Sequence, residues 1–214
     1  MQYKFITIEG NIGAGKTTLA NLLAEQLNAR LILEEFSDNP FLPRFYKNPS
    51  QYAFPLELFF MAERFKQLKE ILLPDLFQQT TISDYLFTKC LLFAKVNLPE
   101  EEFKLYQRLF DIILQQLILP DILIYLHAPL SKLQSNIVMR QREYEQQISD
   151  DYLQKIQDTY LNYIQQQNLV TLFVDASNAD FLHNEMHVQT ILKALESKHT
   201  PGITRISLPQ SNSL

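Results

Sequence analysis

The sequence predicts an α/β protein built on a five-stranded parallel sheet flanked by helices. Five short β-branched or aliphatic runs each give way to a stretch of helical periodicity, the alternation that βαβ units require. Gly10, Gly13 and Gly15 crowd between the first such run and the first helical one. No Gly- or Ser-rich linker and no internal repeat divides the 214 residues, so one domain over residues 1–199 is expected, with 200–214 as a loose tail.

Residues 3–8 read as the first strand, ending at Glu9-Gly10, and residues 19–27 carry leucines and alanines at helical spacing until Asn28 stops them. Residues 30–33 form the second run and 80–83 a short third; 122–126 and 169–174 are the fourth and fifth. Long helical patterns fill 54–73, 101–119 and 130–142, the last with an acidic, glutamine-rich continuation to Gln167. The tail holds Pro201, Gly202 and Pro209 and closes on polar residues.

A 46% hydrophobic and 20% charged composition is that of a globular chain and excludes a disordered or collagen-like one. The net charge of −5 leaves no broad footprint for a nucleic acid polymer, although local positive pockets for small anions remain open. The most apolar stretch, 109–126, is broken by Asp111, Gln115, Gln116, Pro120 and Asp121, so no membrane span is expected. Cys90 alone forms no intrachain disulfide, and the chain opens on Gln2-Tyr3-Lys4 rather than an apolar leader, which points to a reducing cytoplasm. His127, His183, His187 and His199 show no metal spacing with Cys90.

Gly10-Asn11-Ile12-Gly13-Ala14-Gly15-Lys16-Thr17 fits G-x-x-x-x-G-K-[ST] between a predicted strand and a predicted helix, the context that pattern needs. The glycines let successive amides point at phosphate oxygens, Lys16 adds a point charge, and Thr17 offers a hydroxyl to Mg2+ at the helix start. No Asn-Lys-x-Asp guanine reader and no Asp-x-x-Gly after an aliphatic run supports a GTPase switch, leaving a small-molecule kinase as the leading class.

Glu34-Glu35 ends the second strand, where the carboxyl ends of parallel strands border the ligand crevice. Glu34 is the candidate base for a hydroxyl acceptor; on spacing alone both acids read equally well as solvated loop carboxylates. Positions 57, 60, 61 and 64 share one helical face, Glu57 and Arg64 flanking Phe60 and Met61. Such a face lines a pocket for an aromatic base or packs into the core. Arg140 and Arg142 have the forked donors that clamp phosphates, and a salt-bridged surface is the competing reading.

Ile8-Glu9-Gly10-Asn11-Ile12-Gly13-Ala14-Gly15-Lys16-Thr17-Thr18, then Glu34, then Asn39-Pro40-Phe41-Leu42 make nearly the whole chain resemble the deoxynucleoside kinase family, in particular its bacterial deoxyadenosine and deoxyguanosine kinase branch. The resemblance implies a P-loop NTPase-type fold with a short arginine-bearing lid, ATP and Mg2+ as cofactors, and a helix-packed homodimer. It makes Glu34 the acceptor of the 5′-hydroxyl proton. It carries a family arginine onto Arg64 and a tyrosine near the sugar 3′-hydroxyl onto Tyr46. Arg140 and Arg142 become lid arginines on the phosphates and Glu145 the residue reaching the 3′-hydroxyl, while Asp180 and Phe181 fall in a loop packing around the adenine of ATP.

Three positions depart from the family pattern. Glu57 stands where relatives have glutamine, and an ionised carboxylate only accepts, so it favours the donor-rich edge of guanine over that of adenine. A purine is expected, with weak preference between the two. Ser83-Asp84-Tyr85 lacks the arginine of an acidic-Arg-Ser motif; Asp84 then holds a magnesium-bound water, orients a lid arginine, or caps the next helix. Lys89 replaces an acidic base-reading residue. The expected activity is transfer of the ATP γ-phosphate to a deoxynucleoside 5′-hydroxyl in salvage. The alternatives are a thymidylate-kinase-like monophosphate kinase and a non-catalytic ATP sensor.

Overall fold

Phe5-Ile6-Thr7-Ile8-Glu9-Gly10 is buried along its whole length, as a strand covered on both faces must be, and forms β1 (Phe5–Gly10) at the centre of the sheet. The computed structural model describes residues 2–35, 39–70 and 78–209. Among them α1 (Lys16–Leu27), β2 (Arg30–Ile32), α2 (Leu42–Lys47), α3 (Pro49–Lys69), β3 (Thr81–Ser83), α4 (Lys89–Asn97), α5 (Glu100–Leu114), β4 (Ile122–His127), α6 (Leu130–Met139), α7 (Asp150–Gln166), β5 (Val170–Asp175), α8 (Glu185–Glu196) and β6 (Gly202–Ser207) follow in order. The sheet runs β2-β3-β1-β4-β5-β6 with every neighbouring pair parallel.

Alternate strand residues feed opposite layers, as the period of two dictates. Ile6, Ile8, Ile122, Ile124, Leu172 and Val174 pack against α1, α6 and α8. Phe5, Leu123, Tyr125 and Phe173 face the other layer, which is built on α3, α4, α5 and α7. The chain leaves β1 toward the β2–β3 side and returns across it to β4. The carboxyl ends of β1, β2 and β3 therefore open onto one crevice.

The residues expected as a loose tail supply a sixth strand instead: Gly202–Ser207 pairs with Val170–Asp175 over its full length. The five-stranded expectation becomes six because an edge strand needs only one backbone partner and little burial. Residues 210–214 lie outside the described residues. The 54–73 helix starts earlier, at Pro49, because proline suits the first helical position; Pro55 is carried inside the helix. Residues 71–73 of that expectation also lie outside the described residues. The 130–142 helix stops at Met139, and Gln141 takes a left-handed φ of 55°.

Candidate active site

Gly15, at φ 89°, turns the loop after β1 into α1, a conformation open to glycine without strain. A Cβ on Gly13 would lie 2.6 Å from the Leu133 carbonyl oxygen, so α6 sets how tightly the loop curls. The Asn11 side chain is spent on structure, donating to Leu153 O at 2.8 Å and accepting from the Ile12 amide. Lys16 Nζ folds back to donate to Gly10 O and Asn11 O at 3.0 and 2.9 Å. Burial, with Lys89 repelling it, pushes Lys16 down to about 8. Glu9, unassigned by sequence reasoning, is a buried strut beneath the loop: it accepts from the amides of Gly10 and Leu86 and from the Tyr160 hydroxyl.

Beyond the loop a cleft enclosing about 780 Å³, part of it open to solvent, gathers Lys16, Thr17, Glu34, Tyr46, Glu57, Phe60, Arg64, Asp84, Lys89, Arg140, Arg142 and Glu145. These belong to seven segments and had been singled out in the sequence. Five cations face four carboxylates there, a local excess of one positive charge in a chain of net charge −5.

At its centre Glu34 Oε1 accepts from Arg64 Nε at 2.9 Å and from Arg64 Nη2, and Oε2 accepts from Lys89 Nζ at 2.6 Å. Burial opposes the charge on Glu34, but Lys89 and Arg64 outweigh it and hold the carboxyl well below the usual range. Lys89 thus meets the Glu34 carboxylate. The vacant arginine position, Tyr85, is buried with its hydroxyl on Gln67. Asp84 does not cap α4, which begins five residues later. Its Oδ1 accepts from the Glu34 amide at 2.8 Å and its Oδ2 from the Thr17 hydroxyl.

The far end is apolar with one acid. Glu57 is 2% exposed, and its Oε1 accepts from Asn97 Nδ2 at 2.7 Å. Burial pushes its carboxyl up to about 7. Phe60 lines this end, with the Arg64 guanidinium 4.8 Å from its ring centroid, while Met61 turns into the core instead. Phe93, Asn97, Tyr152, Leu42, Phe45 and Leu56 complete the wall and were missed by sequence reasoning. Lys89, Phe93 and Asn97 stand four residues apart on α4, a spacing that would have revealed one lining face.

Over the cleft Glu145 is buried and accepts from Arg140 Nη2 and, at 3.3 Å, from Arg142 Nη1. Tyr46 stacks on Tyr144, ring centroids 6.1 Å apart. Phe181 packs 3.7 Å from where a Gly15 Cβ would lie, next to the loop. Asp180 and Thr18 are not among the cleft residues; Asp180 accepts from the His183 amide at 3.0 Å.

A phosphate loop, a carboxylate opposite it and a pair of arginines above both define a P-loop kinase acting on a small acceptor. The chain belongs to the deoxynucleoside kinase family, whose model matches residues 6–200. It is 35% identical over 195 residues to a deoxyguanosine kinase of Bacillus subtilis, covering 87% of this chain and 93% of that one. A deoxyadenosine kinase of Dictyostelium discoideum is 31% identical over 195 residues, 90% of this chain and 79% of that one. The fold matches a structure of deoxyadenosine kinase from M. mycoides with a TM-score of 0.80 and 24% identity, over 91% of this chain and 100% of the other. The protein is therefore an ATP-dependent deoxynucleoside kinase.

Proposed function

We propose that this kinase phosphorylates the 5′-hydroxyl of purine deoxynucleosides in nucleotide salvage, with the base against Glu57 and Phe60 and the sugar between Tyr46 and Glu34. The observation that carries this reading is the position of Glu34, a carboxylate held by Arg64 and Lys89 between the phosphate loop and the Glu57 end of the cleft. Amides of the loop and the start of α1 receive the ATP phosphates, and Lys16 swings from its carbonyls to their oxygens. Glu34 accepts a hydrogen bond from the 5′-hydroxyl and aims its oxygen in line. A carboxylate so stabilised is a weak base, suited to a loose transition state in which the proton leaves late.

Arg140 and Arg142 exchange Glu145 for phosphate oxygens as the lid closes, releasing Glu145 toward the 3′-hydroxyl beside Tyr46. Asp180 and Phe181 border the adenine of ATP. The Thr17 hydroxyl and Asp84 carboxylate are hard oxygen donors already in contact with each other, a set that fits Mg2+. They would hold it, and it would supply positive charge to offset that of the transferring phosphoryl group. Leu105, Leu109 and Ile112 make an exposed apolar stripe on α5 that supports a homodimer. The buried free thiol of Cys90 supports a reducing, cytoplasmic setting.

The test is product formation from ATP and Mg2+ with each of the four deoxynucleosides and with deoxythymidine monophosphate. Deoxyguanosine and deoxyadenosine should become 5′-monophosphates, and Glu34→Gln should lose about 10²-fold or more in kcat. Turnover of the monophosphate alone, or ATP binding with no reacting acceptor, would overturn the reading.

A further inference from the structure

Of the four carboxylates in the cleft, three are held by cations or by two donors: Glu34 by Arg64 and Lys89, Glu145 by Arg140 and Arg142, Asp84 by the Thr17 hydroxyl and the Glu34 amide. Glu57 is different. Its one side-chain hydrogen bond among the described residues is the neutral amide of Asn97, made to Oε1. Glu57 lines the cleft, and among the described residues Oε2 of the same carboxyl group has no such donor.

The two purines present opposite partners to such a group. Guanine offers two donors side by side, N1–H and the 2-amino group, which match the two acceptor oxygens of a carboxylate. Adenine offers a donor, the 6-amino group, beside an acceptor, N1, which match a carboxylic acid. Because Asn97 donates to Oε1, a proton on Glu57 resides on Oε2, leaving Oε1 as the acceptor. Resting on the purine kinase reading above, we propose that the Glu57–Asn97 pair is a proton-gated base selector: ionised it seats guanine, and with a proton on Oε2 it seats adenine. A mismatched form leaves a buried donor or acceptor unpaired, the kind of penalty that discriminates strongly.

The surroundings allow that proton to come and go near neutrality. Burial raises Glu57, with Asn97, Arg64 and Lys89 opposing and Glu34 assisting, to about 7. The other facing groups stay fixed through that range. Glu34, two residues beyond β2, remains ionised, while Cys90 on α4, Tyr106 on α5 and Tyr152 on α7 are pushed up by burial and remain neutral. Arg64 and Lys89 are bonded to Glu34. Lys16, at about 8, titrates at the phosphate end and affects both purines alike, so it cancels in their ratio.

The experiment measures kcat/KM for deoxyguanosine and deoxyadenosine from about pH 6 to about pH 8, where neither base changes its own protonation. The guanine-to-adenine ratio should rise with pH, by up to about tenfold per unit. In Glu57→Gln, which both donates and accepts at every pH, the ratio should be flat. A flat ratio in the unsubstituted enzyme, with both purines turned over, overturns the selector and leaves the purine kinase reading intact. Failure to phosphorylate either purine at any pH overturns both. A carboxyl 13C resonance that titrates near neutrality in the unsubstituted enzyme and is missing in Glu57→Gln supports the selector independently of turnover; none titrating there overturns it.

Discussion

Lys89 Nζ lies 2.6 Å from Glu34 Oε2, joining the first turn of α4 to the residue that leaves β2. The contact supplies a cation to the carboxylate from a position four residues beyond the one where the family motif has its arginine and this chain has Tyr85. Lys89→Met should lower kcat by roughly tenfold or more, while Lys89→Arg retains most activity. Because Lys89 holds the Glu34 carboxyl down, its loss raises that carboxyl, and the acid limb of the kcat profile should move to higher pH. An unmoved limb in Lys89→Met would show that Arg64 alone sets the charge.

Asp84 serves two partners at once, the Thr17 hydroxyl and the Glu34 amide. Asp84→Asn should therefore cost kcat about 10²-fold and shift half-maximal Mg2+ upward, since both the hard donor and the anchor of Glu34 are weakened. Chelation with EDTA should abolish turnover in the unsubstituted enzyme and added Mg2+ restore it. Full activity in EDTA would remove Thr17 and Asp84 from the metal.

Glu57 makes a stability prediction of its own. Its folded carboxyl is raised to about 7 from an ordinary 4.5, so the native state binds the proton more tightly than the unfolded chain. Stability is then full below the unfolded value, declines as pH rises toward the folded one, and is lowest above it. Glu57→Gln should raise the stability of the ligand-free protein at about pH 8 by on the order of 3 kcal/mol, and change it little at about pH 5. Thermal unfolding at the two pH values measures this; equal shifts at both would mean that packing, not charge, is responsible.

Leu105, Leu109 and Ile112 recur at helical spacing on α5 and are 51%, 38% and 60% exposed. Covered by a second copy they would be buried. Ile112→Asp should halve the mass seen by light scattering, with far-ultraviolet circular dichroism unchanged. A monomeric unsubstituted protein would remove the homodimer.

What the sequence made legible is what lies contiguous along it. The phosphate loop needs eight consecutive residues between a strand and a helix, and the structure has them there. Glu34 was legible as a carboxylate at a strand end. Its two cations were not legible as its partners, since Arg64 and Lys89 come from other helices, 30 and 55 residues away. Asn97 passed unnoticed because a polar residue ending an apolar helix reads as a solvated terminus, and Phe93 because an apolar residue inside such a helix reads as core. β6 escaped because its two isoleucines, Ile203 and Ile206, fall on opposite sides, Ile203 40% exposed, so no period of two appears. Tyr85 is the reverse case, a departure visible in the sequence, while the contact of Lys89 with Glu34 was not.

The order in which the sheet is completed bears on how the protein is made. Among the described residues β6 is the last of six strands along the chain, and it pairs with β5 alone. Until it has cleared the ribosome, β5 presents an open backbone edge to neighbouring nascent chains and chaperones. The described residues that line the cleft all lie at or before Tyr152. The residues that line the crevice are therefore all synthesised before the strand that covers the β5 edge of the sheet.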